Sequence, residues 1–114
     1  MDLATARAAV ANTLDGVEGV NGHTYRPAAP RVGDAWPILP TLELEEGLVW
    51  RPTWHVCVFL PQDERAAAMW LDTHFAALVA ALRTGDLFAE SADLGLITVS
   101  GSDQAVLVVT TRGH

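Results

Sequence analysis

The sequence predicts an α+β fold: a mostly antiparallel sheet of about four strands, with an N-terminal helix and a long central helix packed on one face. Three observations carry this. Helical periodicity occurs near the N-terminus and again in the middle of the chain. Extended stretches come as local pairs joined by turn residues, rather than alternating one by one with helices as a parallel sheet requires. The chain has 114 residues, 50% hydrophobic and 18% charged, enough for one domain with its own core and no need of disulfides or metal. Residues 1–114 therefore read as a single domain.

Residues 2–14 place Leu3, Ala6, Val10 and Leu14 at spacings of three and four, which predicts an amphipathic helix ended by Gly16 and Gly19. The glycines of "GVEGVNGHTYRP", including the Asn21–Gly22 pair, predict turns before a short extended piece at His23–Arg26 bounded by Pro27. "PAAPRVGD" lacks large apolar side chains and reads as a loop. In "WPILPTLEL" Leu42 and Leu44 alternate with Thr41, Glu43 and Glu45, the pattern of a strand with one wet face. Pro37 and Pro40 cannot donate to a ladder and place the start of that strand at an edge or bulge. After Gly47 "LVWRPTWHVCVFL" resumes the extended pattern, its first half made irregular by Pro52, and a hairpin through Glu46–Gly47 is expected to pair 41–45 with about 53–60. After Pro61 the period changes. Asp63 reads as an N-cap, and Ala67, Leu71, Phe75, Leu78 and Leu82 mark one helical face to about Thr84, before Gly85. "DLFAESADLG" reads as a connection to strand 96–100, a turn at Gly101-Ser102-Asp103 and a last strand at 105–111.

Composition excludes several functions. Fourteen acids against seven arginines, with no lysine, give a net charge of −7, and the arginines are scattered. Nucleic-acid binding draws on clustered cations, so it is not expected. No apolar stretch approaches the roughly 18 residues of a membrane span, and "MDLATARAAV" lacks the apolar core of a signal peptide, so a protein of the cytoplasm is expected. Cys57 is the only cysteine, which rules out an intramolecular disulfide and a cysteine zinc site.

His55 and Cys57, two apart on a strand, share a face and are the one pair that could support nucleophilic chemistry. A strand buried on both sides explains them more simply, since free cysteine is among the most buried residue types. Asp72 and His74 point to different faces of their helix, so they form no metal pair, although His74 can reach Trp70 one turn back. His23 and His114 have no partner at a diagnostic spacing. Glu43, Glu45 and Glu46, with Asp63 and Glu64, make an acidic concentration near the first hairpin without the D-x-D-x-D-G geometry of a calcium loop; they read as a solvated face, or as an acidic rim along which a duplex slides without sticking. No P-loop, G-x-G-x-x-G, G-x-S-x-G or H-E-x-x-H occurs, so neither a catalytic site nor a cofactor is expected. Three of the four tryptophans, Trp36, Trp50 and Trp54, cluster about the first hairpin, and this excess of large amphipathic side chains at a proline-interrupted edge marks them as candidate subunit-interface residues.

The succession of elements resembles the tail-terminator and neck proteins of long-tailed bacteriophages. The stretches that carry the resemblance are the first helix running into "LDGVEGVNGHTYRP", the strand and long helix of "WHVCVFLPQDERAAAMWLDTHFAALVAAL", and the closing "LITVSGSDQAVLVVTT". It implies a structural virion protein, assembled in the host cytoplasm, that forms a ring, commonly a hexamer. Such a ring caps the tail tube, ends its polymerisation and provides the joint to the head. The partners implied are copies of itself, the major tail tube protein and a head completion or connector protein, with DNA passing through unbound and no membrane involved. In that setting Glu43, Glu45 and Glu46 would stand at an acidic lumen or rim. Rival expectations are another connector or stopper of the neck, a small cytoplasmic enzyme or ligand-binding domain using His55 and Cys57, and a monomeric regulatory binding protein.

Overall fold

In the computed structural model, residues 2–38, 40–45, 49–83 and 87–113 are described. They form an α+β fold with two helices and a six-stranded mixed sheet. In chain order the elements are α1 (Leu3–Asp15), β1 (Asn21–Gly22), β2 (Asp34–Pro37), β3 (Thr41–Glu45), β4 (Val49–Phe59), α2 (Glu64–Ala81), β5 (Leu87–Val99) and β6 (Ser102–Gly113).

Both helices begin where a short acidic side chain can cap them. The Asp2 carboxylate accepts hydrogen bonds from the backbone N–H of Ala4 at 3.0 Å and Thr5 at 3.3 Å and from the Thr5 hydroxyl at 2.6 Å. Asp63 accepts from the Ala66 N–H at 3.0 Å. Each cap satisfies donors that have no partner within the first helical turn. Gly16 and Leu82 are the C-caps.

The strand order is β1-β2-β4-β6-β5. β4 is the spine. Its 56–58 segment pairs with β2, its 49–53 segment pairs with β3 along the same edge, and its other edge pairs with β6 from Thr53 to Phe59. Among the described residues no pairing of β4 with β6 extends past Thr53 and Arg112, so β3 and residues 49–52 continue as a two-stranded arm. β1 runs parallel to β2; every other pairing is antiparallel.

Side-chain alternation gives the sheet two apolar faces. Trp54, Val56 and Val58 of β4 pack with Leu107 and Val109 of β6 against Val10 and Leu14 of α1 and Leu78 and Leu82 of α2. On the opposite face Trp36, Cys57, Phe59 and Val106 form a second buried cluster, flanked by Ile97, Val99 and Val108. The segment between β1 and β2 reaches across this face to β5, where the Arg26 guanidinium donates to the Thr98 carbonyl.

The sheet differs from expectation in four places. It has six strands and one parallel contact, where about four antiparallel strands were expected. Asn21 and Gly22 are a strand, and His23–Arg26 is not. Gly22 lies so close to the Ala11 carbonyl and the Asp15 backbone that a Cβ there would collide with both, which is what lets β1 lie against α1. The first hairpin pairs 41–45 with 49–53 rather than with 53–60. Pro52, opposite Leu42, is tolerated because it falls where β4 has lost its β6 neighbour. The segment read as a connection, 87–95, belongs to β5, and the turn is the two-residue Ser100-Gly101, with φ of 50° and 82°. Positive φ at both positions gives the twist that a two-residue hairpin needs. Thr84 and Gly85, expected at the end of the central helix, lie outside the described residues.

Candidate functional site

The groups with chemical potential are engaged or covered. Cys57 is 1% exposed and packs between Trp36 and the apolar side chains of β6. Burial pushes its thiol up to about 12, with the Arg26 charge opposing that only in part. A thiol held neutral in this way is neither a ready nucleophile nor a metal ligand. His55 faces the same way as Cys57, but its Nε2 lies 3.2 Å from the Thr41 hydroxyl and its Nδ1 3.2 Å from the Thr110 hydroxyl. Both ring nitrogens thus serve to join β3 to β4 and β4 to β6. His23 does have a partner: its Nε2 lies 3.1 Å from Asp34 Oδ1, while Asp34 Oδ2 accepts from the Arg31 N–H at 2.8 Å. This buried aspartate ties down both ends of the 23–33 segment. His74 stacks on Trp70 with ring centroids 4.6 Å apart, as its spacing suggested. Among the described residues, no group of three or more His, Cys, Asp or Glu is placed to hold a metal ion. His114 lies outside them.

The tryptophans divide in a way the sequence did not show. Trp36 and Trp54, each 2% exposed, belong to the two cores and present no side chain to a neighbour. Trp36 is sealed by its position opposite Cys57 in the sheet. Trp54 lies under α1, where the Arg7 guanidinium stands 5.4 Å from its ring centroid. Trp50, on the arm, is 53% exposed and is the only one of the three interface candidates at the surface. Of the acidic candidates, Glu43 and Glu45 lie on β3 opposite Arg51 and Val49. Their side chains, and Glu46 as a whole, fall outside what the structure describes.

Among the exposed apolar side chains, two groups lie on the helix-bearing side of the sheet. On the arm, Leu44 lies opposite Trp50 and Leu42 opposite Pro52, and both leucines are exposed. Near the other end of the sheet, Leu94 and Leu96 of β5 are 71% and 68% exposed. They border a groove of about 510 Å³ between β5 and the start of α2, whose walls include Leu60, Pro61, Ala67 and Leu71. Sequence reading missed this second patch because it took Leu94 for part of a loop. Isolated exposed leucines are ordinary, whereas these lie in groups beside strand edges whose backbone another chain can pair with. Compared with known proteins, the chain matches no protein-family model and no curated protein sequence.

Proposed function

We propose that this chain is a structural assembly protein that works through its exterior, forming a ring on the end of a bacteriophage tail tube, where it stops further polymerisation and joins the tube to the head. The observation that carries the reading is the pairing of engaged chemistry with exposed edges. Cys57 and Asp34 are buried and His55 is bonded on both ring nitrogens, whereas Leu42, Leu44, Trp50, Leu94 and Leu96 face solvent. A ring closed by rotation needs two different surfaces per subunit, and the chain has two. The net charge of −7 suits a channel through which DNA must pass without sticking.

Electron microscopy of the purified chain mixed with polymerising tail-tube subunits tests this. Rings seated on tube ends, with tube length cut in proportion to the chain added, support it. Tubes that grow unchecked while rings bind only isolated head connectors would support another neck role. Turnover of a small molecule that is lost on Cys57→Ser or His55→Gln would favour an enzyme.

A further inference from the structure

We propose that the arm of one copy, β3 with residues 49–52 of β4, seats on the β5 edge and α2 groove of a second copy, so that copies join head to tail. This rests on the self-association proposed above and names the surfaces that perform it.

The arm is incomplete by itself. Among the described residues only two strands pair beyond Thr53, and a two-stranded ribbon is marginal in water without a third strand or a packed face. Its Leu42, Leu44 and Trp50 supply an apolar face and leave it largely uncovered.

The receiving edge is incomplete in a complementary way. Val99 and Ser102 flank a two-residue turn, so Val99 bonds across to β6, and the residues of opposite parity turn their backbone outward. The Thr98 carbonyl confirms that parity, since it accepts from Arg26. Leu96 and Leu94, two and four residues earlier, therefore direct their N–H and C=O groups to the outer edge of β5, on which no strand lies among the described residues. The same two residues expose their side chains beside the groove. An edge segment offering both backbone groups and leucines, without lysine or proline to blunt it, is a template for strand addition.

Distance excludes the chain's own arm as the occupant and leaves that of another copy. Trp50 and Leu60 stand at opposite ends of the β4 run, ten residues apart in sequence, and at about 3.3 Å per residue that is roughly 33 Å. An arm this far from its own groove, on the same side of the same sheet, can reach only a neighbour's. The exposed parts of Leu42, Leu44, Trp50, Leu94 and Leu96 amount to roughly 500 Å². An interface of about 1,000 Å² in total, the size that separates specific contacts from chance ones, is a little over half apolar, so these five side chains suffice for it.

The test uses two full-length variants at exposed positions, Trp50→Glu on the arm and Leu96→Glu on the edge, each with its thermal midpoint checked against the native chain. Analytical ultracentrifugation is expected to show each variant alone as a monomer, with self-association weakened at least about 30-fold, the scale of losing one hot-spot residue. Mixed in equal amounts they are expected to form a dimer of one copy of each, because one intact arm then meets one intact edge. If either variant alone assembles as the native chain does, or if the mixture stays monomeric, the inference is overturned. A native chain that is monomeric overturns both this contact and the ring. A native closed oligomer indifferent to both substitutions overturns this contact alone.

Discussion

Cys57 shows how a single residue's surroundings decide between chemistry and packing. Enclosed by Trp36, Phe59 and Val106, its thiol is held neutral well above the range of an ordinary cysteine, from 9.0 to about 12. In the unfolded chain the thiol loses its proton above pH 9, whereas in the folded chain it keeps it, so the native state binds the extra proton and stability falls as pH rises between those values. Denaturant titrations between pH 8 and 11 are expected to show this loss, approaching about 1.4 kcal/mol per pH unit, and Cys57→Ala is expected to remove it. Native-state alkylation is expected to be slow and limited by opening of the fold; rapid labelling at pH 7.5 would show an accessible thiolate. Gly22 gives a second test at this scale. A methyl group there meets the backbone of α1, so Gly22→Ala is expected to cost about 1–3 kcal/mol in a urea melt, while Gly101→Ala, with open space around it, pays only for its positive φ.

At the scale of elements, α2 shows what local signals can specify. An aspartate cap followed by apolar residues at helical spacing marked its start and its inner face, and Leu78 and Leu82 are fully buried there. Asp63→Ala is expected to lower stability by about 1 kcal/mol, and Leu78→Ala by about 2–5 kcal/mol because it leaves a cavity between helix and sheet; both are read from chemical denaturation. β5 shows the limit. Its register shifts between Ala89 and Ser91, so the residues on the helix-bearing face are Leu87 and Ala89 before the bulge and Ala92, Leu94 and Leu96 after it, the last two exposed. One extra residue breaks a period-two pattern, and a strand with a bulge, a glycine and two acids three residues apart resembles a loop in sequence. β1 and β2, with two and four residues, are too short to carry any period, and their parallel pairing depends on a contact with α1 that no local signal encodes. The proposed contact surface was legible in the same proportion. Trp50 could be singled out as a large side chain on a proline-interrupted edge, but nothing in the sequence separated it from Trp36 and Trp54, because β4 is buried on both faces where it meets β2 and β6 and bare only where it outruns them.

The whole molecule measures 47 × 30 × 20 Å, with the arm and the Leu94 and Leu96 part of the β5 edge toward opposite ends of the strand direction. That separation makes a head-to-tail contact available and a self-satisfied monomer incomplete. The charge balance opposes the proposed assembly: copies carrying −7 each repel one another at long range, so in that reading apolar burial supplies the attraction. Self-association is therefore expected to strengthen when sodium chloride is raised from about 0.05 to 0.5 M, as screening removes the repulsion. Weakening over the same range, measured by sedimentation, would point to a contact made of ion pairs. The most direct test of a protein that acts through its surface is native mass spectrometry of the unmodified chain at micromolar concentration. A closed species with a fixed number of subunits is the expected result, and a monomer at every concentration and salt would contradict it.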